Sequence, residues 1–505
     1  MFVLYLLAAL QQAPSSMKAR NLISVALGLW IASCIASPKP LVEPATQSPA
    51  AMPETSPTAI ISRKQTPPQP TSQPTAPPSI ELIGQSPLLQ RGMNAGLAVY
   101  GNYAYVGSRT DGSHPDAGVL VIDVSNPASP QVVYQIGPPE EGLIGQTSRE
   151  LRVWPQQEIL LVMNVACSAV LHDCAQAIVQ ANLSVYDISG ANAAAPKLIS
   201  AYLLQRTPHE MYLWEDPRVD GRALLYLSTP GGYVNNLLVL DISQARAGIV
   251  QEVGNWGAPP RMATASLHSL SVSVDGRRAY LAHLQDGFMI LNTSDLADGA
   301  ANPQIQLITP PTNWARSPVG AHSAVKLFGK PYALITEEVY GACPWGWTHI
   351  LDITDEIRPQ FVAEYKLAPY NTDEHCAGAT PERYRFTSYS SHNPTLTKNL
   401  AFITWHSGGL QAVSIEDPLH PTQIAAFLPE PLPSVGTEDP ALSAGPDKVV
   451  MWSYPIIKDG LIYVVDIRNG LYILKYHGPF EAEVSGIHFL EGNSNLGEAQ
   501  TWEMP

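Results

Sequence analysis

Six stretches of the chain carry a polar residue at a matched point ahead of an apolar run. They are SREL (148–151), PHEM (208–211), LHSL (267–270), AHSA (321–324), SHNP (391–394) and WSYP (452–455). The second residue of each is Arg149, His209, His268, His322, His392 and Ser453, so four consecutive stretches place a histidine at one point. With only 13 histidines in 505 residues, chance does not produce that alignment. Neutral imidazoles converging with a carboxylate suit a borderline divalent ion such as copper, zinc, iron or nickel. Glu150 and Glu210 adjoin two of these positions, and the following apolar runs end near His283, Glu337, Glu338 and His406. The candidate metal ligands are therefore His209, His268, His322 and His392, with Glu210 or Glu338 as carboxylate and His283 and His406 nearby. Such a site should hold its ion at pH 7 and release it as the imidazoles protonate toward about pH 5. The same spacing also suits hydrogen bonding between repeated units through Ser269, Ser323 and Asn393, or a cluster that titrates near neutrality. No catalytic residue is assigned. The chain has no phosphate-binding glycine loop with lysine, no H-E-x-x-H, no C-x-x-C and no G-x-S-x-G.

A repeat must position these residues. VLVIDVSNPASP (119–130), LSVYDISGANAAAP (183–196), LLVLDISQA (237–245), FMILNTSD (288–295), HILDITDEIRP (349–359), LQAVSIEDPLHP (410–421) and LYILKYHGP (471–479) align with one another. Their centres fall at Asp123, Asp187, Asp241, Asn292, Asp352, Ser414 and Lys475, spaced as a four-stranded propeller blade with loops would be. The β-branched run makes a strand, and the Asp can accept from the backbone N–H groups that follow it. The prolines fit an outer edge strand whose N–H groups need no partner. Two further strand-like runs precede each motif, as LAVYGNY and AYVGSR precede the first. The expected fold is all-β, a seven-bladed β-propeller of four-stranded antiparallel blades over residues 80–480. The innermost strands would line a central channel and place the histidines around one mouth. SIELIGQSPLL (79–89) resembles the outer strands and can close the ring; the tail EAEVSGIHFLEG within 481–505 is the other candidate.

These Asp-centred units resemble the LVIVD-repeat family of bacterial surface propellers, over roughly residues 80–480. The resemblance implies an extracytoplasmic location but no common reaction. The last two copies lack the Asp, which makes that carboxylate a turn-former and not shared chemistry. The favoured function is a binding or scaffold protein that holds an unidentified small-molecule or protein ligand on its loop-rich, His-bearing face. The alternative is a metal-dependent, copper-type oxidoreductase. Selenium-binding and methanethiol-oxidase propellers are similar in placing His-bound copper on a propeller, although no diagnostic motif of theirs occurs here.

The N-terminal residues concern addressing. MKARNLISVALGLWIASC, starting at Met17, has a basic start, a short apolar stretch and a lipobox-like ending, so 1–34 reads as a signal peptide with Cys34 as lipidation site. Cleavage after Ala36 without lipidation is the other reading. Residues 35–79, rich in Pro, Ser and Thr, suit a disordered linker. The protein is expected in the periplasm or at the cell surface, tethered to the membrane by its N-terminal lipid. Four further cysteines, Cys167, Cys174, Cys343 and Cys376, suit disulfides in such a compartment, Cys167 with Cys174 and Cys343 with Cys376. A net charge of −15 with only 14% charged residues disfavours nucleic acid as a partner. Long loops on the His face, including YGACPWGWTH (340–349), carry Trp345, Trp347, Tyr389 and Trp405, which can wall a pocket there, although core or loop packing is the commoner use of such aromatics.

Overall fold

The computed structural model describes residues 77–503 except 138–143, 168–179, 230–235, 260–265, 318, 341–342, 369, 372–375, 377–387 and 440–447. The expected signal peptide with Cys34, the expected linker as far as residue 76, and Cys174 lie outside the described residues. Among those described, no helix is long and apolar enough to cross a membrane.

The repeated motif dictates the architecture. In six units the third strand ends at the motif centre, as in Val119–Asp123 and Thr348–Asp352. The carboxylate there accepts the backbone N–H two residues on, Ser125 to Asp123 and Thr354 to Asp352 at 2.8 Å each. The chain thus turns from the third strand into the exposed fourth. Among the described residues the units form seven antiparallel sheets, six of them in simple sequential order. Six have four strands, within 94–136, 146–203, 211–256, 269–307, 321–365 and 394–427, and are numbered here as blades one to six. Apolar side chains on facing sheets form the core between neighbours. Leu161, Met163 and Leu183 of blade two, for example, share one buried cluster with Leu213, Leu225 and Leu240 of blade three.

Blade seven combines both chain ends. Ser79–Ser86 pairs antiparallel with Gly470–His477 at the outer edge, so the N-terminal strand closes the ring. The tail also contributes a strand, but on the other side: Phe489–Glu491 pairs with Ile456–Lys458, the innermost strand. Beyond it the tail reaches blade three. Leu213 N donates to Asn493 O at 3.1 Å, and Glu215 N donates to the Asn495 side chain at 2.8 Å. This crossing lies at the end of the inner strands away from the histidines. Gly492 permits it, because a Cβ there would stand 2.0 Å from Pro394 O.

A disulfide joins Cys343 to Cys376, tying the loop after the second strand of blade five to the link toward blade six. Trp345, Trp347 and Trp405 are buried and do not wall an open pocket. Trp347 and Trp405 belong to the core between blades five and six, and the Trp405 Nε1–H donates to Tyr389 O at 2.7 Å. Their size is spent on blade-to-blade packing.

Candidate metal centre

The inner strands present the ring through β-bulges. In blade five, Ala321 pairs with Glu337 and Ser323 with Thr336, leaving His322 as the extra residue. In blade six, His392 N donates to Thr404 O while Thr404 N donates to Asn393 O, so two residues again oppose one. His209 and Glu210 oppose Ser228 in the same way, and Arg149 is the extra residue between Ser148 and Glu150 in blade two. A bulge leaves one residue unpaired and re-aims its side chain. Repeated in successive blades, it turns one residue per blade into the channel mouth. The rings of His209, His268, His322 and His392 follow one another with centroids 4.2, 4.0 and 4.2 Å apart.

The second strands supply the rest, with a distinction that spacing alone conceals. Glu337 N, His283 N and Trp405 N occupy one hydrogen-bonding position at their strand ends, donating to Trp347 O, Gly287 O and Gly409 O. The residue after the first and the third, Glu338 and His406, faces the channel side. His406 therefore joins the ring, with its centroid 4.8 Å from that of His392. His283 does not: it is buried beside Asp286, Nδ1 to carboxylate 3.3 Å. Glu337 likewise turns away, toward His349 at 3.3 Å. In blade seven the matched Ser453 is occupied with backbone, and the preceding Trp452 closes the circle, its indole 4.0 Å from the His392 ring. His406 lies between two parallel aromatic rings, Tyr340 at 5.4 Å and Trp452 at 5.7 Å. Sequence comparison missed Trp452 because it is one residue out of register, and missed Tyr340 because it lies in a loop.

Hydrogen bonds assign the tautomers. His392 Nδ1 lies 2.7 Å from Trp452 O and His268 Nδ1 lies 3.2 Å from His322 O, and a carbonyl can only accept. His322 Nδ1 meets Ser323 Oγ at 2.9 Å, while that hydroxyl donates to Asn393 Oδ1 at 3.0 Å. His406 Nδ1 meets Ser388 Oγ at 3.1 Å, and that hydroxyl donates to Val339 O. Each Nδ1 thus carries the proton, and each Nε2 presents a lone pair. Those of His392 and His406 lie 3.2 Å from Glu338 Oε1, and that of His322 lies 3.6 Å from Oε2. None of the three is directed as a hydrogen bond, and all three atoms are buried without a hydrogen-bond partner. Lone pairs facing a carboxylate repel, and a cation among them removes the repulsion. The carbonyl and hydroxyl partners at Nδ1 are the outer support that metal-bound imidazoles use.

Burial favours the neutral form of four of the rings. It pushes His268 and His392 down to about 4, and His209 and His322 well below the ordinary imidazole value. Glu210 divides from Glu338 here. Burial, and then the charge of Glu150, raise the Glu210 carboxyl to about 8. Its Oε2 accepts from Tyr454 Oη at 3.2 Å, one layer deeper in the channel. That shift favours the protonated form of Glu210, whereas Glu338, which also accepts from the Tyr340 hydroxyl, is held below the usual carboxylate range. Among the described residues three overlapping groups have metal-ligand spacing: His209 with Glu210 and His268, His268 with His322 and Glu338, and Glu338 with His392 and His406.

Residues 91–136, the first blade, match the LVIVD repeat family. No curated protein sequence matches the chain. Among solved structures it is similar to Sqt1 of Chaetomium thermophilum, with 12% identity over 77% of this chain and 86% of that one and a TM-score of 0.44. It is also similar to the periplasmic gluconolactonase PpgL of Pseudomonas aeruginosa, with 14% identity over 79% and 95% and a TM-score of 0.43. With seven sheets in a ring and this repeat in the first, the chain is a seven-bladed β-propeller carrying the LVIVD repeat.

Proposed function

We propose that the protein is an exported, lipid-anchored binding protein whose channel mouth holds a transition metal ion. The supporting observation is the convergence of three buried, unpartnered Nε2 atoms, each in the lone-pair tautomer, on one carboxylate. His322, His392, His406 and Glu338 would hold the ion, with His268 and His209 beside them. Bound there, an ion supplies a Lewis-acid position that faces the loop-bearing side of the propeller. Three or four imidazoles with one carboxylate favour copper, zinc, iron or nickel over calcium or magnesium, which take oxygen ligands.

Elemental analysis of the purified mature protein tests the reading. About one transition-metal ion per chain is expected, and His392→Ala with His406→Ala should abolish it while far-ultraviolet dichroism stays unchanged. A wild-type protein that neither contains nor takes up such an ion overturns it.

A further inference from the structure

Blade two delivers a guanidinium at the position where blades three to six deliver imidazoles. The bulge between Ser148 and Glu150 turns Arg149 to the channel mouth as the bulge in blade five turns His322. Arg149 is half-buried there, and among the described residues it makes no hydrogen bond or ion pair. The charged groups nearby are already engaged. Glu150 faces Arg152 at 3.4 Å, and Glu210 accepts from Tyr454. The second arginine of the mouth, Arg109, meets Asp439 at 3.2 Å and lies over the Trp452 ring at 4.5 Å.

A divalent ion held by Glu338 and the imidazoles around it adds positive charge beside Arg149, in a protein whose net charge is −15. A partly desolvated positive site is stabilised by an anion, and a guanidinium presents a planar fork of N–H donors that fits two oxygens at once. We propose that Arg149 anchors a small oxyanion, a carboxylate or similar group presenting two oxygens, at the mouth beside the imidazole cluster. This rests on the metal-binding reading above and names the class of ligand that site would take.

The test uses the mature protein loaded with cobalt(II) in chloride-free buffer and titrated with acetate, and separately with sulfate. Binding is followed by calorimetry and by the visible cobalt bands. At least one anion should bind and perturb the bands. Arg149→Gln should weaken it by at least about tenfold, the scale of one charge-assisted pair, at unchanged cobalt stoichiometry. Arg149→Lys, which keeps the charge and loses the fork, should fall between. Cobalt-loaded wild type that ignores both anions, or an Arg149→Gln protein that binds them equally well, overturns the proposal and leaves the metal reading intact. Failure of wild type to take up cobalt, seen before any anion is added, sinks both.

Discussion

His268, His322 and His392 are each specified twice, once by the bulge that aims the ring and once by the acceptor that fixes its proton on Nδ1, and Ser388 fixes His406 in the same way. Trp452 O, His322 O, Ser323 and Ser388 are therefore as much a part of the site as the rings they hold. Ser323→Ala should leave the ring in place but free the His322 tautomer, and metal affinity is expected to fall by about tenfold or more, read by competition with a chelator. Burial also sets the pH window. His268 and His392 stand at about 4 in the folded protein against 6.5 for the free side chain. A depressed folded value means that the neutral form is the one the fold favours. Its stabilisation is complete above about pH 6.5 and is lost as pH falls toward 4, up to roughly 3 kcal/mol per group. Denaturant midpoints of metal-free protein should drop across that window. Protons displace the ion only as pH approaches 4, lower than the pH 5 that unperturbed imidazoles predict. Full release by pH 5.5 would contradict the burial argument.

Among the elements, both terminal segments act on blade seven, from opposite sides. Removing Ser79–Ser86 leaves Gly470–His477 as an unpaired edge, so a truncated chain should melt earlier and scatter light through edge-to-edge association. The tail is constrained at Gly492. Gly492→Ala places a methyl against Pro394 O and is expected to destabilise by about 1–3 kcal/mol, as overpacking does. A change under about 0.5 kcal/mol would show that the tail can lift off. The Cys343–Cys376 disulfide closes a loop with sequence separation 33, for which chain entropy gives roughly 3–4 kcal/mol. Cys343→Ser with Cys376→Ser should lose about that much in chemical denaturation. Tyr340 precedes Cys343 by three residues and stacks on His406, so the same variant should weaken metal binding too.

At the scale of the whole molecule, closure makes every blade depend on two neighbours. The buried clusters lie mostly between sheets, so no blade keeps its core alone. Unfolding should be one cooperative transition, detected alike by tryptophan fluorescence and far-ultraviolet dichroism. Two separated transitions would mean that part of the ring stands by itself. The anchoring proposal also belongs at this scale. Several acyl chains on Cys34 would hold the protein on a membrane, each buried CH₂ contributing about 0.8 kcal/mol. Cys34→Ala should move it from the membrane to the soluble fraction. A soluble wild type that begins after Ala36 would remove lipidation from the reading.

The sequence by itself determined the ring of seven blades, because the turn-forming Asp and its β-branched strand are local features that recur at blade spacing. It also determined that His209, His268, His322 and His392 share one mouth, because repetition places equivalent residues at equivalent heights. Only the tertiary structure decided which neighbours join them. His283 and His406 look alike along the chain, yet one residue of register at a strand end sends the first into a blade and the second into the channel. Trp452, Tyr340 and the raised Glu210 carboxyl were equally hidden, since they depend on bulges, loops and a carboxylate pair that meet only across the channel. Side-chain direction in a strand alternates with every residue, so a single bulge reverses it, and no composition or spacing records that.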